Sequence, residues 1–164
     1  MEPIYWVILA SVVCAAVVIA LAWRPMREAR RERVLAEAKR QFHRSRERLE
    51  AKFVQQAGNS GKPRGLRWVD CDFDNDVTYA RDRRNGQLSA FVACTIRFEA
   101  IEGGGMEEVE AVSNLRAATA VFFFDPASQW TSEGRALFNL NPTEAIHYYQ
   151  ANLELVAQEP ASAS

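Results

Sequence analysis

Read for its hydrophobic and polar positions, the chain changes period three times. Ile4 to Trp23 (IYWVILASVVCAAVVIALAW) is 20 residues of apolar character without a charge. At the rise of an α-helix that run spans about 30 Å, the thickness of a bilayer's hydrocarbon core. Tyr5, Trp6 and Trp23 sit near its ends, where amphipathic rings favour the headgroup region. The pattern predicts a transmembrane anchor over residues 1–23. A cleaved signal peptide competes, because Ala20-Leu21-Ala22 matches the small-x-small cleavage rule. Against it stand the leading Met1-Glu2-Pro3, without Lys or Arg, and the length of the apolar run.

From Arg24 the pattern becomes that of a helix. Residues 24–57 contain no Gly and one Pro, Pro25, placed to start a helix, and are rich in Ala, Glu, Arg, Leu and Gln. Leu35, Ala38, Phe42, Ser45, Leu49 and Phe53 recur at steps of three and four and form one stripe. This predicts a basic amphipathic helix ending where Gly58-Asn59-Ser60-Gly61 opens a linker over 58–65. Its apolar stripe has two uses. It can pack on a following domain, or it can pair with a second copy in a short coiled coil, making a homodimer through the stalk.

Period two then takes over. Leu66–Phe73 and Asp76–Arg83 read as strands, and Asn85-Gly86 reads as a tight hairpin. Leu88–Ile101 alternates Leu88, Ala90, Val92, Cys94, Ile96 and Phe98 on one face. Gly103-Gly104-Gly105 turns the chain into a fourth extended stretch over Met106–Phe124. Its end, Ala120-Val121-Phe122-Phe123-Phe124, is apolar on both faces and so should be covered on both or lie at an interface. Asp125-Pro126 marks a turn. A further short strand falls at Gln129–Thr131 or Arg135–Leu140. Asn141, Pro142 and Glu144 spell an N-cap, a first-turn proline and a capping box. The helix they open puts Ile146, Tyr149, Leu153 and Val156 on one face, with a frayed tail over 158–164.

The reading is therefore an α+β chain. A transmembrane helix and long helical stalk precede a soluble domain over 66–157, an antiparallel meander of four to five strands with a C-terminal helix packed on it and the helices on one face. In outline this resembles cystatin-type and NTF2-type folds, in which a helix lies across a curved sheet. The resemblance is architectural and carries no function.

Charge adds a direction. Residues 24–52 hold 11 Lys/Arg against 5 Asp/Glu, and residues 53–164 hold 9 against 15; with Glu2 these give the net −1. The molecule is basic beside the membrane segment and acidic beyond it. Arg24, Arg27, Arg30, Arg31 and Arg33 follow the apolar run directly, so the positive-inside rule predicts a cytoplasmic C-terminal domain. The same residues, Arg24–Arg33, are placed to meet anionic headgroups. Topology explains these arginines, and no aromatic-and-basic surface follows, so nucleic acid is not an expected partner.

Candidate chemistry is sparse. Asp70, Asp72, Asp74 and Asp76 alternate within seven residues, a spacing of oxygen ligands suited to Ca²⁺ or Mg²⁺. Aligned to an EF-hand loop, position six is Asn75 instead of Gly and position twelve is Arg81 instead of Glu. The competing reading is an acidic turn between strands. Cys71 and Cys94 fall on apolar strand faces and read as core thiols, with a disulfide requiring export. Glu99, Glu102, Glu107, Glu108 and Glu110 surround the glycine turn as a solvated acidic tip, which could also face a basic partner. Gly103-Gly104-Gly105 lacks the Lys-Ser/Thr of a phosphate loop, and no cofactor motif is present. Trp68, Trp130 and Tyr149, with Tyr148, are candidates to line a pocket between sheet and last helix. No spacing of His, Cys, Ser and Asp announces an active site. The expected function is a membrane-anchored, non-enzymatic module that binds a protein partner, with a small-ligand or enzymatic domain as the alternative.

Overall fold

The computed structural model describes residues 3–60, 65–109, 114–125 and 129–160. It has a long helix α1 (Pro3–Asn59), strands β1 (Leu66–Asp82), β2 (Leu88–Ala100), β3 (Arg116–Asp125) and β4 (Gln129–Phe138), a short helix α2 (Pro142–Tyr148) and a last strand β5 (Leu153–Glu159). The strands form one antiparallel sheet in the order β4-β3-β2-β1-β5. The α+β meander expected from the sequence is thus present. Contacts divide the chain into two compact units, Met1–Arg40 and Gln41–Ser164.

In the first unit every large apolar side chain described between Tyr5 and Met26 is exposed, from 51% at Val17 to 70% at Tyr5. This helix is long and apolar enough to cross a membrane. Pro25 lies inside it and not at its start. Glu37 and Arg40 pair along its surface.

In the second unit the end of α1 packs across one face of the sheet. Phe42, Leu49 and Phe53 of the predicted stripe are all buried, and Ala57 extends it by one more helical step. Phe42 meets Tyr79, Phe122 and Trp130, and Phe53 meets Trp68, Phe73 and Phe122, in edge-on or tilted ring contacts. These positions of the stripe are therefore filled by the chain's own sheet.

The other face is covered by α2. Ala145 and Ile146 join Ala80, Phe91 and Val121, with Phe123, Leu137, Leu140 and Leu153 packed around them. Strand alternation makes both cores from one sequence run: Val121 goes to α2 and Phe122 to α1. That is why 120–124 is apolar on both faces.

Six expectations change. The helices expected on one face of the sheet lie on opposite faces. The fourth extended stretch does not begin at Met106: Met106–Val109 forms a turn, and β3 starts at Arg116. The two strands before Asn85-Gly86 are one strand, β1, bulged against β2 between Trp68 and Asp70 and between Phe73 and Val77. The turn after it spans five residues, with only Gly86 of the Asn-Gly pair at positive φ. The two alternatives for the next-to-last strand are both parts of β4, joined through a bulge at Gly134. Finally, α2 has the full capping box at Asn141 but stops at Tyr148. Leu153 and Val156 belong to β5, which pairs with β1 over Val77–Asp82. The open backbone edge of β1 takes up the hydrogen bonds that a longer helix would have kept to itself. Residues 61–64, 110–113, 126–128 and 161–164, including Glu110, Pro126 and parts of the expected linker and tail, lie outside the described residues.

Candidate functional site

The short helix α2 leaves the sheet uncovered on both sides of it, and a hollow lies at each. The larger, about 490 Å³, is bordered by Asp72, Asp74 and Glu144 over Ala93, Thr95 and Ala117. The smaller, about 330 Å³, has Phe91, Val121 and Leu137 in its lining, with Arg84, Arg135 and Tyr149 around it. Phe91 and Val121 are buried at 3% exposure, whereas both arginines are exposed. Arg135 stands over the Tyr149 ring, its guanidinium carbon 5.9 Å from the centroid. The smaller hollow thus joins an apolar lining to a cationic rim, and the larger has an acidic rim.

The pocket expected from three aromatic residues is divided between two places. Tyr149 borders the smaller hollow. Trp130 is buried on the opposite face between Phe42, Tyr79 and Phe124, and Trp68 packs there on Phe53, Phe98 and Phe138. The expectation failed because one chain can place a helix on each face of a sheet, and the aromatic strand positions chose α1.

The acidic run also has a different setting. Asp70–Asp76 lies in β1, not in a turn, and β5 begins to pair with β1 only at Val77. The run therefore occupies an open sheet edge, where charge and bulges oppose pairing with another chain. Asp70 pairs with Arg97 at 3.2 Å and accepts the Cys71 N–H. Asp74 accepts the Asn75 N–H. Arg46 of α1 donates to the carbonyls of Asp74 and Asn75 and pairs with Glu50 at 2.7 Å, holding the bulge. Asp72 and Asp74 border the larger hollow. Among the described residues, no group of three or more His, Cys, Asp or Glu is gathered around a point that could hold a metal ion.

Register places Cys71 opposite Ile96 and Cys94 opposite Phe73, so the two sulfurs are diagonal neighbours. Both are free thiols. The hydrogen bond to Cys94, then burial and the nearby Asp70 and Asp72, push the Cys71 thiol well above its ordinary value, so it is a poor nucleophile. At the glycine turn, backbone N–H groups of Glu107 itself and of Gly103 hold the Glu107 carboxyl below the usual range. Glu99 pairs with Arg67 at 2.8 Å.

One polar cluster was not visible in the sequence. His43 Nε2 lies 2.9 Å from Glu159 Oε2, and the Tyr79 hydroxyl donates to the same oxygen at 3.1 Å. His43 and Glu159 are 116 residues apart, and only the pairing of β5 with β1 brings them together. Burial, then Glu159, raise the Tyr79 hydroxyl far above its ordinary value. The arrangement joins α1, β1 and β5 and is suited to fastening the last strand. Comparison with protein-family models, with curated proteins and with solved structures finds no match for this chain.

Proposed function

We propose that this chain is a single-pass membrane-anchored binding module. Its domain is cytoplasmic, lacks catalysis of its own, and holds a protein partner at the membrane surface. The observation that carries the reading is the exposed apolar helix. Each large apolar side chain moved from water into hydrocarbon contributes about 1.5–3 kcal/mol, and the run from Tyr5 to Trp23 presents them on every side. The arginines after it support a cytoplasmic domain and contact with anionic lipid, at about 1 kcal/mol per charge near the surface. The packed aromatic face supports binding over catalysis.

Protease protection tests the topology. A C-terminal tag should be shielded in intact cells and digested in opened vesicles, on a protein of full-length mass. Digestion from outside the cell, or loss of the first 22 residues, would refute it.

A second reading has an observation of its own. The hollows beside α2 favour a small-ligand-binding domain, and the smaller one has the mixture of apolar lining and few polar groups that ligand pockets use.

A further inference from the structure

We infer that the hollow bordered by Arg84, Arg135 and Tyr149 is a binding site for a small amphipathic carboxylate, an acid group carried on one aromatic or branched apolar body. The inference rests on the small-ligand reading and gives it a chemical class. At about 330 Å³ the hollow lies at the small end of the range for ligand pockets. Its lining includes Phe91 and Val121, both almost fully buried, together with Phe123 and Leu137. An apolar body set there replaces water on the partly exposed Phe123, Leu137 and Leu153, over the buried Phe91 and Val121.

The charge around the hollow sets the sign of the ligand. Among the described residues, neither Arg84 nor Arg135 has a carboxylate within ion-pair distance, whereas Arg40, Arg46, Arg67 and Arg97 each have one. Asp82 is the acidic residue in the lining, and its Oδ1 already accepts the N–H groups of Arg84 and Asn85 at 2.7 and 3.2 Å. The two arginines against Asp82 leave a net positive rim. A guanidinium offers a planar fork that matches a carboxylate in two parallel hydrogen bonds. Arg135 is partly ordered before any ligand arrives, because it stands over the Tyr149 ring. That ordering reduces the side-chain entropy lost on binding. The larger hollow, with Asp72, Asp74 and Glu144, would repel the same ligand, so the two sides of α2 discriminate by charge.

Titration of the full chain in lipid nanodiscs with 3-phenylpropionate, and separately with its uncharged amide, tests the site; empty nanodiscs correct for partitioning. The acid should bind and the amide bind far more weakly. Arg135→Gln and Arg84→Gln should each weaken the acid about tenfold or more, the scale of one lost charged hydrogen bond, at unchanged thermal stability. Equal binding of acid and amide would overturn the carboxylate assignment while leaving a ligand-binding hollow. Binding of the acid unchanged by both substitutions would overturn the location. Binding of neither would overturn the site and the small-ligand reading together.

Discussion

The two faces of the sheet are built from the same strands and end in opposite conditions. One is sealed by residues 41–59 of α1, whose Phe42 and Phe53 sit fully buried among five strand aromatics. The other is covered by a seven-residue helix that buries Ala145 and Ile146 and leaves a hollow on either side. The difference is one of helix length. A long helix spans the sheet and fills its face, giving stability; a two-turn helix covers its centre alone, and the uncovered flanks become concave surface open to a ligand.

The contrast can be broken by experiment. Phe42→Ala should cost about 3–5 kcal/mol in chemical unfolding, and Ile146→Ala on the other face about 2 kcal/mol, the low end for its type. Equal losses would mean that the faces share the stability evenly. Next in size is Gly134→Ala. Gly134 has φ +67°, and a Cβ there would lie 2.5 Å from the Ala57 backbone nitrogen, so the β4 bulge can approach α1 only without a side chain. Unfolding should show a loss of about 2 kcal/mol, from left-handed strain and the clash. Arg46→Ala frees the carbonyls of the β1 bulge and should cost about 1–2 kcal/mol, with faster amide exchange across Asp70–Asp76.

The smallest effect concerns alkaline pH. The Tyr79 hydroxyl is raised in the folded state above its ordinary value of 10.0, by burial and then by Glu159. The unfolded chain therefore loses this proton first. The contribution is fully present below pH 10.0 and fades as pH rises beyond it. Ultraviolet titration should find Tyr79 silent until the protein unfolds, and Tyr79→Phe should flatten the alkaline limb of the stability curve. A tyrosine count that titrates completely in the folded state would refute the buried hydroxyl.

Much of this was legible along the chain. The apolar run, the stripe through Phe42, Leu49 and Phe53, the alternation of Leu88 to Phe98 and the capping box at Asn141 are one-dimensional signals. Each depends on neighbours within about one or two turns, and each reappears in the structure. The two-faced run at 120–124 pointed to cover on both sides or to an interface, but the helices were expected on one face and the structure puts one on each. The candidate site was less legible. Arg84 and Arg135 are 51 positions apart in the numbering and carry no motif. Trp68 and Trp130 drew notice as large aromatics, but aromatic content does not say which helix an aromatic will meet.

The amino-acid order alone was enough for the long helix, most strand segments, the start of α2 and the basic-then-acidic division of charge, because backbone sterics, side-chain spacing and local capping act over a few residues. The tertiary structure decided the rest: that β1 runs unbroken through its acidic bulges, that the chain after Tyr149 leaves its helix to pair with β1, that His43 meets Glu159, and that hollows remain beside α2. Those outcomes follow from competition for backbone hydrogen bonds and apolar cover between segments far apart in the chain, and the winner is set by what else lies at the sheet edge and on each face.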